Sequence, residues 1–133
     1  MKKLRGYIFA RPFMGERAPQ HVQNIILRDY CQKRGHELLL SATEYAMEDS
    51  YMILESVLDD LANIDGIVFY SLYQLPTQPE KRRLVYSRVL DAQKSLHFAV
   101  EGMSISNIDE IDSVENCLLV KSTLDHCTPE VEI

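Results

Sequence analysis

The chain has 133 residues, of which 46% are hydrophobic and 26% charged, with a formal net charge of −6. This size and composition suit one globular domain with a continuous core, so we expect residues 1–133 to form a single domain. Eight acids face Lys121 alone between residues 101 and 133, which makes 106–133 an acidic C-terminal segment. An acidic chain without a basic arm is not typical of nucleic-acid binding, and no apolar run approaches the roughly 20 residues of a membrane helix.

The first strand is predicted at 4–10, in "LRGYIFA". Arg11 interrupts the apolar run before any small-residue cleavage pattern. We therefore predict a strand here rather than a signal peptide, and a cytoplasmic location for the protein. A helix follows over 19–35, with proline early, Lys33 and Arg34 in its last turn and Gly35 after it. "HELLLS" at 36–41 is predicted to be the second strand.

The second helix is predicted to begin at a cap supplied by Asp49 or Ser50 and to bury one face between Ile53 and Leu61. "DGIVFYSL" at 65–72 is apolar on both faces, which predicts a central third strand. Thr77-x-x-Glu80 predicts a capping box for a third helix. Its predicted inner side consists of Leu84, Val85, Val89 and Ala92.

"SLHFAVEGMSI" at 95–105 is predicted as the fourth strand, and "ENCLLVKSTL" at 115–124 as a fifth. No helix is predicted before the fifth, so we expect it to run antiparallel at an edge. The order predicts an α/β fold: a three-layer, flavodoxin-like sandwich around a mostly parallel sheet of four to five strands. Cys31, Cys117 and Cys127 have neither disulfide nor zinc spacing, and no glycine-rich phosphate loop is present. We therefore expect no metal and no cofactor.

"VQNIILRDYCQKRGHELL" at 22–39 closely resembles the first helix and second strand of serine recombinase (resolvase and invertase) catalytic domains. In that family a glutamine precedes the pattern LRxYxxxRGxE, and Gln23 occupies this place. The order of later elements also matches, so the resemblance runs from about Leu4 to Ile105. It implies a resolvase-like fold.

The catalytic motifs of that family are absent. The family's serine nucleophile follows the first strand in the context YxRVST; here Phe9 stands at the arginine and Arg11 at the serine. The family's DRLxR motif after the third strand reads "YQLPT" here, so Gln74 and Thr77 replace the two arginines that stabilise charge on the scissile phosphate. The chain also ends before the family's long dimerisation helix and helix-turn-helix domain. The resemblance thus excludes DNA recombination.

What remains resembles short, degenerate resolvase-fold proteins encoded among polysaccharide biosynthesis genes of bacteria, known as sporadic carbohydrate cluster proteins. The features that carry this resemblance are the size, the altered exit of the first strand and the lack of a DNA-binding tail. It implies a role in making a surface glycan.

Strand ends converge in this topology, which places the candidate site there. Arg11 follows a buried strand and suits a carboxylate or phosphate, or a structural salt bridge. Glu44 and Glu101 follow two other strands and are candidates for an acid/base pair, as sugar isomerisation or epimerisation requires. We take these three as the catalytic candidates, although single glutamates at strand ends are often only solvated.

Four further residues are candidates for ligand binding. Tyr73 and Gln74 offer an aromatic face and a neutral polar group for sugar hydroxyls, or they belong to a surface loop. Ser71 alternates with Tyr70 along the strand, so one of the two faces the cleft. His21 lies near a helix N-terminus, as a base or as an exposed residue of the capping turn.

Two functions follow from these candidates. In the first, the domain binds or transforms a sugar or nucleotide-sugar at the strand ends, in a pocket lined by Arg11, Glu44, Tyr73 and Glu101. In the second, it is a non-enzymatic, dimeric scaffold for glycan enzymes, which an exposed apolar face on the third helix or fourth strand would favour. We expect a homo-oligomer, a dimer, that engages neither nucleic acid nor membrane.

Overall fold

The structure, a computed structural model, describes residues 2–10, 18–44, 46 and 51–131, with the backbone alone for 121–131. In this part of the chain, one sheet has the strand order β2-β1-β3-β4-β5. The first four strands are parallel and β5 is antiparallel to β4. The strands are β1 Lys3–Phe9, β2 Glu37–Glu44, β3 Gly66–Phe69, β4 Ser95–Phe98 and β5 Met103–Ile105.

Helices cover both faces of the sheet, which confirms the predicted three-layer α/β sandwich. They are α1 Gln20–Lys33, α2 Met52–Asp59, α3 Pro79–Asp91 and α4 Ile108–Val131. Two 3₁₀ turns lie at Leu61–Asn63 and Leu72–Gln74. None of the helices in the described part of the chain is long and apolar enough to cross a membrane.

Alternation along the central strands builds two separate cores. Leu4 and Ile8 of β1 pack with Leu27 and Tyr30 of α1 on one face of the sheet. Tyr7 and Phe9 point to the other face, into a larger core shared with α2, α3 and α4. Because side chains alternate with a period of two, one apolar run such as "YIFA" supplies both layers.

The prediction of a fifth strand at 115–124 is wrong, because these residues belong to α4. Val114 is buried, and Ile111, Cys117 and Leu118 pack against the same core at intervals of three and four residues. A run as short as "CLLV" does not distinguish a strand from a buried helix by periodicity. The sequence pattern does not predict this helix, which has 24 residues.

The predicted antiparallel edge strand exists, but its residues are different. The segment 95–105 forms a hairpin of β4 and β5 rather than one strand. Gly102 turns the chain with φ of +66°, and its N–H donates to the Phe98 carbonyl at 2.9 Å. Glycine adopts this left-handed conformation without a steric cost, so "EGM" marks a turn.

The start of α3 also differs from the prediction. The N-cap is Gln78, without a side-chain cap, and Pro79 follows it, so the Thr77–Glu80 capping box does not form. Val85 and Val89 are buried as predicted, whereas Leu84 is 64% exposed and Ala92 is also exposed. Asp49 and Ser50, the predicted caps of α2, lie outside the described residues.

A buried histidine interrupts the smaller core on the α1 side. His97 of β4 lies with its Nδ1 2.8 Å from the Tyr30 hydroxyl and its Nε2 2.8 Å from the Ser95 hydroxyl. Burial, together with the positive charges of His36, Lys2 and Arg34, lowers the pKa of His97 to about 3. The imidazole is therefore neutral in the folded protein at neutral and mildly acidic pH.

This burial predicts acid sensitivity that depends on His97. Between pH 6.5 and 4 the unfolded chain binds a proton at His97 that the folded protein does not, so folding stability falls as the pH falls. In His97→Asn this contribution is absent. As the pH falls, we expect the free energy of unfolding of the wild type, relative to that of His97→Asn, to decrease by up to about 1.4 kcal/mol per pH unit. Urea unfolding followed by circular dichroism measures both proteins. Stability profiles that run parallel across this pH range would contradict the prediction.

Candidate functional site

Gln74 is fully buried at the position where the resemblance places a catalytic arginine. It ends the 3₁₀ turn that follows β3. Its Oε1 accepts hydrogen bonds from the backbone N–H groups of Tyr70 and Ser71, at 3.1 and 3.4 Å. Its Nε2 donates to Oε1 of Gln23 at 2.9 Å. The side chain therefore closes the exit of β3 from the inside, and no part of it is exposed to a ligand.

Gln23, on α1, is the other half of what we call the glutamine pair, Gln23 with Gln74. It is also fully buried. Its Oε1 accepts from the Phe9 N–H at 3.0 Å, while its Nε2 donates to the Phe9 and Ala18 carbonyls, both at 2.9 Å. The side-chain amide thus both accepts from and donates to the backbone of Phe9, as a neighbouring strand would. The sequence pattern alone does not assign Gln23 to the site. Its position within the apolar face of α1 is the signal that indicates a buried, hydrogen-bonded glutamine.

Ser71 and Glu101 form a second contact at these strand ends. The nearly buried Ser71 hydroxyl donates to Glu101 Oε2 at 2.8 Å, and the other carboxylate oxygen accepts from the Leu72 N–H at 3.0 Å. Ser71 also accepts from the Tyr73 N–H, in a capping box closed by Gln74. The half-buried Glu101 lies in the β4–β5 turn, so it joins that turn to the exit of β3.

Glu44, at the end of β2, is fully buried. One oxygen accepts from the Tyr7 hydroxyl at 2.9 Å. The same oxygen accepts from the Leu54 N–H at 3.1 Å, and the other accepts from the Ile53 N–H at 3.2 Å. Helix α2 has no side-chain cap of its own, so this carboxylate supplies acceptors and negative charge at its N-terminus.

The strand order does not bring Glu44 and Glu101 together as an acid/base pair. Glu44 ends β2, Glu101 follows β4, and β1 and β3 lie between them. Three strand spacings separate the two exits by about 14 Å. An acid and a base that act on one sugar must each come within hydrogen-bond reach, roughly 3 Å, of the reacting atoms, and two carboxylates this far apart do not do so together.

The remaining candidates are placed differently. Tyr73 is half-buried against the larger core, and His21 is exposed on the first turn of α1. Arg11 lies outside the described residues. Within the described ranges, no cluster of histidine, cysteine, aspartate or glutamate has the composition of a metal site. Among the described candidates, Glu101 and Tyr73 are partly exposed on the turns that follow the strands, and His21 is exposed on α1.

Two solved structures have the same fold over almost their whole length. The N-terminal catalytic domain of TP901-1 integrase matches with a TM-score of 0.66 and 16% identity, over 99% of this chain and 100% of that chain. A resolvase family site-specific recombinase from Streptococcus pneumoniae matches with a TM-score of 0.63 and 9% identity, over 98% and 99%. No protein-family model and no curated protein matches the sequence. At these identities the likeness shows the fold alone, which is resolvase-like.

The buried glutamine pair predicts a large cost for its removal. In Gln74→Leu, two backbone N–H groups and Gln23 lose a buried partner, so we expect a loss of about 2 to 4 kcal/mol in the free energy of unfolding. Gln32→Leu, at an exposed position on α1, is the matched control and should change stability by less than about 0.5 kcal/mol. Denaturant unfolding measures both. Equal losses in the two variants would mean that the pair is not a structural constraint.

Proposed function

We propose that this chain is a resolvase-fold domain that does not cleave DNA, and that it acts through association with a second copy, as a scaffold in surface-carbohydrate synthesis. The observation that carries the proposal is the glutamine pair. At the place where a recombinase of the resembled family presents a cationic side chain to phosphate, this chain has a neutral amide that is fully buried. Such a group neither reaches a phosphate nor stabilises charge on it.

The other strand-end residues support the same conclusion. Ser71, Glu44 and Gln74 are all buried and hydrogen-bonded to this chain's own backbone. Catalytic groups need a path to the reacting atoms, and these three side chains are withdrawn from solvent. Their contacts instead stabilise the turns that join the sheet to its helices.

Helix α4 is the element that supports association with a second copy. Its 24 residues span about 36 Å, whereas β5, the strand beneath it, spans about 10 Å. Val120 is 57% exposed on the helix beyond its last core-packed residue, Leu118. The sequence then has apolar residues at 124, 127 and 131, at coiled-coil intervals of three and four. Apolar residues at such intervals form a stripe along a helix, and a stripe of this kind is what one helix packs against another.

The first half of α4 is held firmly by a charged contact. Arg82 of α3 makes a bidentate ion pair with Glu115 of α4, with both N···O distances 2.9 Å. The Tyr86 hydroxyl donates to the same carboxylate at 2.6 Å. The hydrogen bond from Arg82 lowers the pKa of Glu115, so the contact persists at mildly acidic pH. The direction of α4 is therefore set by the monomer.

The role in carbohydrate synthesis rests on the resemblance to short, degenerate resolvase-fold proteins of polysaccharide gene clusters. The features that support it are the altered exit of β1, at Phe9 and Arg11, and the neutral exit of β3. A scaffold needs no catalytic group, which fits the replacement of both arginines.

Association through α4 predicts that Val120→Glu weakens the dimer. A charge placed at an apolar contact is desolvated without a partner, so we expect at least a tenfold rise in the dimer dissociation constant. Ile25→Glu, at a similarly exposed apolar residue on α1, is the matched control and should leave self-association unchanged. Sedimentation equilibrium measures both. A monomeric wild type, or equal effects of the two variants, would overturn the proposal.

The second candidate function is binding of a sugar or nucleotide-sugar at the strand ends. The partial exposure of Glu101 and Tyr73, on adjoining turns, favours it. A thermal-shift screen against nucleotide-sugars and sugar phosphates tests it, since a ligand that binds the folded protein raises its melting temperature. The stabilisation should be lost in both Arg11→Ala and Glu101→Gln. Retention of the shift in both variants would place the ligand elsewhere.

A further inference from the structure

We propose that the amino ends of the parallel strands carry an anion site, which binds a phosphate group through Lys2, Arg34 and His36. The site extends along the α1 face of β4, because the Arg34 Nη2 lies 3.7 Å from the place of a Cβ on Gly102, in the β4–β5 turn. It goes beyond the proposed scaffold function, because it requires neither a second copy nor the strand exits.

The three groups come from three different elements, and each acts electrostatically on His97. Arg34, after α1, places its guanidinium 3.9 Å from the centre of the Tyr30 ring, and that hydroxyl contacts His97. Lys2, before β1, has its Nζ 3.5 Å from the Ser95 hydroxyl, which also contacts His97. The His36 ring, before β2, is centred 5.4 Å from the His97 ring. The hydrogen bonds among Ser95, His97 and Tyr30 thus hold in place the side chains that Lys2 and Arg34 contact.

These cations are not neutralised by the part of the chain that the structure describes. The ion pairs found there use Lys33, Arg82 and Arg88, and none uses Lys2 or Arg34. In a chain of net charge −6, a cationic cluster without a carboxylate partner is unexpected. The electrostatic cost of gathering like charges falls when an anion binds among them.

His36 supplies the independent sign of a missing ligand. Its Nδ1 is shielded from solvent and has no hydrogen-bond partner among the described residues. A buried donor or acceptor without a partner costs free energy, and a phosphate oxygen would accept from Nδ1–H. Burial lowers the pKa of His36, and the charges of Lys2 and Arg34 lower it further. A bound anion acts in the opposite direction and favours the protonated ring.

The acidic groups at these strand ends do not fill the site. Asp65 accepts the Lys3 backbone N–H at 2.8 Å, and Glu37 is exposed at the start of β2. The α1 carbonyls of Cys31 and Gln32 accept from the backbone N–H groups that follow the helix. The donors left over are an ammonium, a guanidinium and an imidazole. Two cations and an imidazole N–H match a doubly charged, tetrahedral oxyanion better than a carboxylate.

The hydroxyls of Ser95 and Tyr30 serve as supports rather than as reactive groups. Ser95 is 1% exposed, and its hydroxyl is already bonded to His97 and Lys2. A nucleophile must reach the reacting atom, so the Ser95–His97–Tyr30 series does not function as a hydrolytic triad. The site therefore binds a phosphate without cleaving it.

The test is a titration of the full chain with inorganic phosphate at constant ionic strength, followed by the histidine ring resonances in NMR spectra. We expect the His36 resonance to shift and saturate, and the dissociation constant to rise at least tenfold in Arg34→Gln and in Lys2→Gln. Both side chains are exposed, so these variants should fold. Lys33→Gln removes the same charge from the neighbouring position on α1 and is the matched control, which should bind as the wild type does.

Sulfate provides a second measurement, because it stays a dianion over the pH range in which histidine titrates. Its affinity should fall as the pH rises above the pKa of His36 in the free protein, by up to tenfold per pH unit, since binding takes up a proton. A shift that does not saturate, or an equal loss in Lys33→Gln, would overturn the site. The scaffold proposal is tested separately, because Val120→Glu should leave phosphate binding intact.

Discussion

The hydrogen bond between Gln23 and Gln74 is the contact on which the other strand-end contacts depend. It joins α1 to the exit of β3, while the same Gln23 amide is bonded to Phe9 at the exit of β1. A buried amide without partners is costly, so both side chains are restricted to the arrangement that satisfies them. With the exit of β3 fixed in this way, Ser71 is positioned to bond Glu101, and the β4–β5 turn follows.

This arrangement divides the domain into two ends with opposite properties. At the carboxyl ends of the strands, Glu44 and Glu101 accept hydrogen bonds from this chain, which anchor both carboxylates within the fold. Lys2, at the amino ends, and Arg34, whose side chain extends along β4 toward Gly102, have no carboxylate partner among the described residues. Open α/β sheets usually bind ligands at the carboxyl ends. Here the cations of the proposed anion site lie on the α1 face of β4 instead.

The central part of the fold could be predicted because its signals are local. Strands β1 to β4 coincide with short apolar runs, and α1 has proline before it and glycine after it. The sequence does not predict helix α4, because "CLLV" is too short to show a period, and it does not predict the β4–β5 hairpin, because one glycine in "EGM" does not by itself specify a turn. The arrangement of the candidate site could not be predicted from the sequence. The burial of Gln74 depends on Gln23, 51 residues earlier, and no local pattern specifies that partner.

A contact between distant residues also explains how the acidic C-terminal segment belongs to the fold. Counted as charge, Glu115 is one of eight acids in a segment that resembles a solvated tail. In the structure it accepts a bidentate ion pair from Arg82 and a hydrogen bond from Tyr86, which together hold α4 against α3. A helix held in this way presents its exposed residues in a fixed orientation. Association through a preformed surface avoids the entropy cost of ordering that surface. The contact of Arg82 and Tyr86 with Glu115 therefore favours any contact that α4 makes with another molecule.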